Sequence, residues 1–165
     1  MPSKRREIRV GVLSDTHGLL RPEALAFLRG SDHILHAGDI GGAGILAQLA
    51  ELAPVTAVRG NNDDEPWAAS IAESRRITLG GAVFHLLHDR AQLDLDPDAE
   101  GIHVVVSGHS HRPLLERRGG VLYLNPGSAG RRRFRLPVSV AEVRVAADGT
   151  VHAHLVELDV GAPRR

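Results

Sequence analysis

Five short polar clusters hold most of the chemistry this chain could perform: Asp15-Thr16-His17, Gly38-Asp39, Gly60-Asn61, His88-Asp89 and Gly108-His109-Ser110-His111. Carboxylate oxygens combined with imidazole nitrogens suit manganese, iron, cobalt, nickel or zinc, whereas all-oxygen shells suit magnesium or calcium. Asp15, His17, Asp39, Asn61, His88, His109 and His111 are the candidate ligands, more than one tetrahedral or octahedral ion takes. A carboxylate shared between two ions resolves that count. Two ions ~3.5–4 Å apart can clamp the attacking and leaving oxygens of an in-line phosphoryl displacement. Each motif alone is cheap, since chance gives roughly 0.7 Asp-x-His and roughly 0.6 His-x-His matches at this composition. Their placement is less cheap: every cluster follows an apolar run, and glycine precedes three of them. A second His-x-His, His152-Ala153-His154, lies within a strand-like run with no loop after it and is assigned no chemistry.

The elements that must carry these clusters follow from periodicity and punctuation. Ile8–Leu13, His33–His36 and Val55–Val58 are short apolar runs of buried-strand type. Between them, Pro22 opens a helix that Gly30 stops, and a second helix is predicted from Ala43 to Leu52, before Pro54. Strand–helix–strand–helix–strand favours parallel pairing with right-handed crossovers. The second half reads as hairpins: 75–79 with 82–87 across Gly80-Gly81, 114–117 with 121–124, and 137–145 with 151–158. His103–Val106 is a further buried strand, and Leu93–Glu100 is loop or short helix. The expectation is one α/β domain over 1–165, with two mixed sheets face to face and helices outside. Open α/β sheets gather ligand sites beyond the carboxyl ends of their strands, so the five clusters could converge.

Composition bounds the partners. The chain has 165 residues, 20 basic and 20 acidic side chains, no cysteine and only 3% aromatic residues. Disulfides, zinc–thiolate sites and thiol catalysis are therefore excluded. Balanced charge and few aromatics provide no track for nucleic acid. Apolar stretches are too short to span a bilayer, and the basic start leads into no signal-peptide core. A cytoplasmic protein is the expectation.

The order Asp-x-His, Gly-Asp, Gly-Asn, His, Gly-His-x-His resembles the calcineurin-like metallophosphoesterase superfamily. The short length and the Asn125-Pro126-Gly127-Ser128 turn resemble its small single-domain phosphodiesterase branch. The resemblance runs from Ile8 to the last hairpin and implies a four-layer αββα sandwich. It implies two divalent transition-metal ions, manganese first, with iron, nickel, cobalt and zinc as alternatives. Asp15, His17, Asp39 and His111 would hold one ion, and Asp39, Asn61, His88 and His109 the other, with Asp39 bridging. A hydroxide between the ions would attack phosphorus in a small phosphorylated substrate. A second implied reading is a protein-interaction scaffold of the same fold, without turnover; a homo-oligomer is compatible with either.

Two positions depart from the family pattern. Where many members have a histidine that protonates the leaving group, this chain has Asn62, which can donate a hydrogen bond but is no acid near neutral pH. Asp89 follows His88 where relatives often have glycine; it reads first as facing water, and otherwise as orienting a ligand histidine. Asn125 and Ser128 belong to a turn that the resemblance brings near the site. Arg131, Arg132 and Arg133 form a run that reads first as solvated and otherwise as a phosphate-binding loop, with Arg59 a weaker candidate. His33, His36, His85 and His103 flank or lie within strands and read as structural.

Overall fold

The structure, a computed structural model, describes residues 6–161. In chain order the elements are β1 (Ile8–Leu13), α1 (Pro22–Leu28), β2 (His33–His36), α2 (Ala43–Ala50) and β3 (Val55–Ala57). Next come β4 (Ser74–Leu79), β5 (Ala82–Leu87), β6 (Val104–Val106), β7 (Leu114–Arg118) and β8 (Val121–Asn125). The chain returns through β9 (Ser139–Val145) and β10 (Val151–Glu157). One sheet has the order β10-β9-β1-β2-β3 and the other β4-β5-β6-β8-β7. Both are mixed: β1, β2 and β3 run parallel, as do β5, β6 and β8, and antiparallel strands complete each sheet.

Period-two alternation decides which face each strand buries. Val10 and Val12 of β1, Leu35 of β2 and Val143 and Val145 of β9 meet Phe84, Leu86, Val104, Val106, Leu122 and Leu124 of the second sheet. Phe84 is fully buried there, and truncating such a ring to alanine costs ~3–5 kcal/mol. The intervening residues Leu13 and Ile34 face outward, against Ala24 and Leu28 of α1 and Ile45 and Leu49 of α2. Gly11 permits this approach, because a Cβ there would lie 2.5 Å from Leu28 Cδ2.

Proline at the first turn of α1 suits the amides that have no helical partner. At its other end, the Arg9 guanidinium donates to the carbonyls of Phe27, at 2.6 Å, and Arg29, at 2.7 Å, and also pairs with buried Glu142. That one side chain ties α1 to β1 and β9. The β4–β5 connection is a two-residue turn in which Gly80 and Gly81 both have positive φ, 59° and 87°, matching the twist of the strands.

The expected elements are present, with ends differing by one or two residues. Val58 lies beyond β3, yet its amide still bonds the His36 carbonyl, and α2 closes at Ala50 in turns that precede Pro54. Outside the second sheet, Leu87, Val105 and Val121 are covered by Ile102, Leu93 and Leu95. That outer layer is a 3-10 turn at Arg90–Gln92 and the turns up to Gly101, with no α-helix. No described helix is long and apolar enough to cross a membrane.

Candidate metal centre

The seven candidate ligands leave the carboxyl ends of five parallel strands. Asp15 and His17 follow β1, Asp39 follows β2 and Asn61 follows β3; His88 follows β5, and His109 and His111 follow β6. Asp15, His17, Asp39, His109 and His111 all have positive φ, between 45° and 71°. Among the described residues, Phe134 is the only other non-glycine residue in that region. Such backbone costs of the order of 1–3 kcal/mol per residue and persists only where its surroundings fix it. Here the loops hold one another. The Asp15 amide donates to the Gly38 carbonyl at 3.0 Å and the His17 amide to the Asp39 carbonyl at 2.9 Å. The Gly108 amide donates to the His88 carbonyl at 2.9 Å.

Close approach explains two of the neighbouring glycines better than turning does. A Cβ on Gly60 would sit 2.2 Å from Asp39 Oδ1, and one on Gly108 would sit 2.6 Å from Asp15 Oδ2. Neither has a φ in the left-handed region; the Asp39 backbone and carboxylate fill the space at Gly60, and the Ser14 hydroxyl, 2.0 Å from such a Cβ, with the Asp15 carboxylate fills it at Gly108.

The donor atoms converge. Asp39 Oδ2 lies 3.6 Å from His17 Nε2 and 3.2 Å from His88 Nε2. Asp15 Oδ1 lies 3.7 Å from His17 Nε2, 3.8 Å from His88 Nε2 and 3.4 Å from His111 Nε2. Asp15, His17 and His111 form one group able to hold a cation, and Asp15, Asp39 and His88 another. Asn61 Oδ1 and His109 Nδ1 meet each other at 3.2 Å on the more exposed side. Asp15 Oδ1, His17 Nε2 and His88 Nε2 are buried without a hydrogen-bond partner. Orphans of this kind are rare and costly, and three facing one another imply a missing charge. The donor set, oxygen and nitrogen together, fits a divalent transition metal.

The remaining atoms of these ligands are well held. His88 Nδ1 donates to the Ala37 carbonyl at 2.8 Å, so Nε2 is the atom turned to the carboxylates. Asp15 Oδ2 accepts from the Ser14 hydroxyl at 2.7 Å and the His109 amide at 3.1 Å. The Asn62 amide donates to Asp39 Oδ1 at 2.9 Å and the Asn62 side chain to Oδ2 at 3.0 Å.

Electrostatics tell the same story. Burial alone would raise the Asp15 carboxyl, yet the imidazoles of His111, His17 and His88 and the Ser14 hydroxyl hold it well below the usual carboxylate range. Burial opposes ionisation of Asp39 too, and His88 with the Asn62 amide brings it down. The Asp15 carboxylate raises His17. Burial works against protonating His88, but Asp39 outweighs it and the net direction is upward. The cluster calls for positive charge, and protons supply it where no cation does.

Other residues singled out in the sequence fall at graded distances. The Asn125 side chain donates to the Gly108 carbonyl at 2.9 Å and to Ser110 Oγ at 3.1 Å, which fixes the loop bearing His109 and His111. Ser128 Oγ contacts the Asp15 carbonyl at 3.1 Å. Asp89 does not orient His88; its carboxylate accepts from the Ala91 amide at 3.0 Å and caps the following turn. Arg59 borders a cleft of about 170 Å³ with Asn61, His88 and His109, and pairs with Glu73 at 3.2 Å. Arg132 donates to the Gly161 carbonyl at 2.7 Å, while Arg131 and Arg133 are exposed.

One supporting group, Asp63, goes beyond the sequence reading, and another, His36, has the structural role read from the sequence. The Asp63 carboxylate accepts from the amides of Ile40, Gly41 and Gly60, each at 3.0 Å, and so joins the loops of Asp39 and Asn61. His36, fully buried, accepts from the Gly38 amide at 3.1 Å and meets Thr16 Oγ1 at 3.0 Å. Burial pushes its pKa down to about 4, so it is a neutral strut under the site.

Comparison with known proteins identifies the family. Residues 8–148 match the calcineurin-like phosphoesterase superfamily domain. A probable metallophosphoesterase of Methanothermobacter thermautotrophicus is 36% identical over 149 residues, covering 82% of this chain and 85% of that protein. The phosphodiesterase YfcE of Escherichia coli K12 is 33% identical over 110 residues, 59% of this chain and 56% of YfcE. Among solved structures, vacuolar protein sorting 29 of Cryptosporidium parvum shares the fold with a TM-score of 0.74 at 18% identity, over 93% of this chain and 98% of that one.

Proposed function

The chain belongs to the calcineurin-like phosphoesterase superfamily, and we propose on that premise that it is a metal-dependent phosphodiesterase with a binuclear centre. Asp15, His17, Asp39 and His111 would hold one ion, and Asp39, Asn61, His88 and His109 the other. The observation that carries this reading is the approach of His88 Nε2 to Asp39 Oδ2 at 3.2 Å. With Nδ1–H donated to the Ala37 carbonyl, His88 turns Nε2 toward a carboxylate, an approach that calls for positive charge between them, a proton or a metal ion. Asp39 Oδ2 also lies 3.6 Å from His17 Nε2, so Asp39 is the residue that both ligand sets would share. When bound, the two ions supply the chemistry: an acidified water that delivers hydroxide to phosphorus, and neutralisation of the charge that builds there.

The chain's own residues do the rest. Asn62 holds both Asp39 oxygens and can donate to a phosphoryl oxygen, but it has no proton to give a leaving alcohol. Esters with good leaving groups are therefore the favoured substrates, since general acid catalysis typically contributes ~10²–10⁴-fold. Arg59 borders the cleft over His88 and offers a guanidinium for a phosphate oxygen there. A scaffold role would not require buried orphan atoms, so the hydrolase is the better account of Asp15 Oδ1, His17 Nε2 and His88 Nε2.

The test is hydrolysis of bis(4-nitrophenyl) phosphate by protein stripped with chelator and then given Mn²⁺, Ni²⁺ or Zn²⁺, alongside metal analysis of the purified protein. Metal-dependent turnover with about two ions per chain is expected. Equal rates with and without metal would remove the proposal.

A further inference from the structure

Beyond the small cleft that contains His88 and Asn61 lies a larger one, of about 510 Å³, on the other flank of His109. His109 and Asp89 border both clefts. The outer cleft is within the size of cavities that enclose organic ligands, whereas the inner one, at about 170 Å³, is not. Its sides are built differently from the metal centre. Pro113, Leu114 and Leu136 offer apolar surface, and Leu114 is 39% exposed.

Arg112 lines the outer cleft, is exposed, and its guanidinium makes no hydrogen bond or ion pair among the described residues. The other lining arginine, Arg90, is committed: it lies 4.1 Å over the Tyr123 ring and pairs with Glu116 at 3.5 Å. Asp89 sits at the end shared with the metal centre, with its carboxylate on the Ala91 amide. The outer cleft thus combines an apolar slot, one free cation and a fixed loop. Asn125 pins that loop through Gly108 and Ser110, and the Arg112 amide closes onto Ser110 Oγ at 3.2 Å.

We infer that this cleft binds one ester group of the substrate, and that the group carries a flat apolar ring and a second negative charge, as a nucleoside 3′-phosphate does. The inference deepens the phosphodiesterase reading and rests on it for the word substrate, although the cleft itself does not. The ring lies on Pro113, Leu114 and Leu136, and the second anion takes the Arg112 guanidinium, whose planar donors suit a phosphate.

The experiment begins without turnover. Chelator-treated protein is titrated with thymidine 3′-phosphate and with thymidine, following backbone amide NMR shifts of residues 107–112, 114 and 136. The phosphate form is expected to bind about tenfold tighter, the effect of one charged hydrogen-bonding contact. Arg112→Gln brings the ratio to about one, and Arg29→Gln, on the far helix end, keeps it. Shifts confined elsewhere, no preference for the phosphate, or a preference that survives Arg112→Gln would overturn the inference. Turnover then separates the two proposals. With Mn²⁺, the 4-nitrophenyl ester of thymidine 5′-phosphate is compared with the same ester bearing a 3′-phosphate, and a lower KM for the latter supports the cleft. Hydrolysis of both esters at equal KM overturns the cleft alone; cleft binding without hydrolysis of either ester overturns the phosphodiesterase alone.

Discussion

Asp63→Asn is the most informative single change to the scaffold of the site. One Asp63 oxygen accepts from Ile40 and Gly60 and the other from Gly41, each at 3.0 Å, and the residue is 3% exposed. Asparagine keeps an oxygen for the first two donors and turns an NH₂ group toward the third. A hydrogen bond to a charged group contributes ~1.5–3 kcal/mol and an orphaned donor costs ~1–3 kcal/mol, so a net loss of about 2–3 kcal/mol is expected. In a chain of this size that lowers Tm by roughly 4–12 °C. Alanine would orphan all three donors and approach the whole stability of a domain, ~5–15 kcal/mol, which makes it the less readable variant. The assay is urea denaturation with and without metal, with exposed Asp64→Asn as the control. Metal affinity should fall as well, by ~10–100-fold, because the loops of Asp39 and Asn61 lose their common anchor. A midpoint within ~0.5 kcal/mol of the parent, the range of ordinary surface changes, would refute the reasoning.

Asp39→Ala should cut metal-dependent hydrolysis by at least the order of 10²-fold and reduce the metal content, read by elemental analysis; full metal content in the variant would assign the bridge elsewhere. Gly60→Ala drives a methyl into Asp39, so a loss of ~1–3 kcal/mol with weaker metal binding is expected in paired melting and calorimetric titrations; an unchanged affinity would mean that the loop simply moves aside. His36 stays neutral in the folded chain down to about pH 4, while in the unfolded chain it takes a proton near its ordinary value of ~6.5. Above pH 6.5 it has no effect on stability. Between pH 6.5 and 4 the unfolded state binds the extra proton, and the folded state loses up to roughly 3 kcal/mol. An NMR titration of the His36 ring with a midpoint near 6.5 would contradict this.

Much of the frame was legible because chemistry and punctuation coincide. Ile8–Leu13 and His33–His36 are apolar runs that end in Ser14-Asp15 and Ala37-Gly38-Asp39, and such a pattern dictates both a buried strand and where it stops. The Asp63 anchor was not legible, for a physical reason. Asp63 stands in a run of four polar residues, Asn61-Asn62-Asp63-Asp64. Only the approach of Ile40 and Gly41, more than 20 residues away, makes its carboxylate different from that of Asp64. Glycine at 60 and 108 was noticed, but the cause, Asp39 in the space of one Cβ and Ser14 with Asp15 in the space of the other, exists only in three dimensions. Asp89 shows the converse: its neighbour His88 suggested a partner, and a local turn claimed it first.

The candidate ligands divide by sheet: Asp15, His17, Asp39 and Asn61 hang from the first, and His88, His109 and His111 from the second. Elsewhere the two sheets are joined mainly by interdigitating side chains such as Val12 and Phe84, with Arg117 of β7 donating to the Val151 carbonyl of β10 at 3.0 Å. A cation gripped from both sides is a cross-brace at the open rim, and it fastens segments almost a hundred residues apart in the chain. On the proposed function, metal loading would therefore stiffen the seam, and amide exchange at that end of the sandwich is expected to slow when the brace is in place.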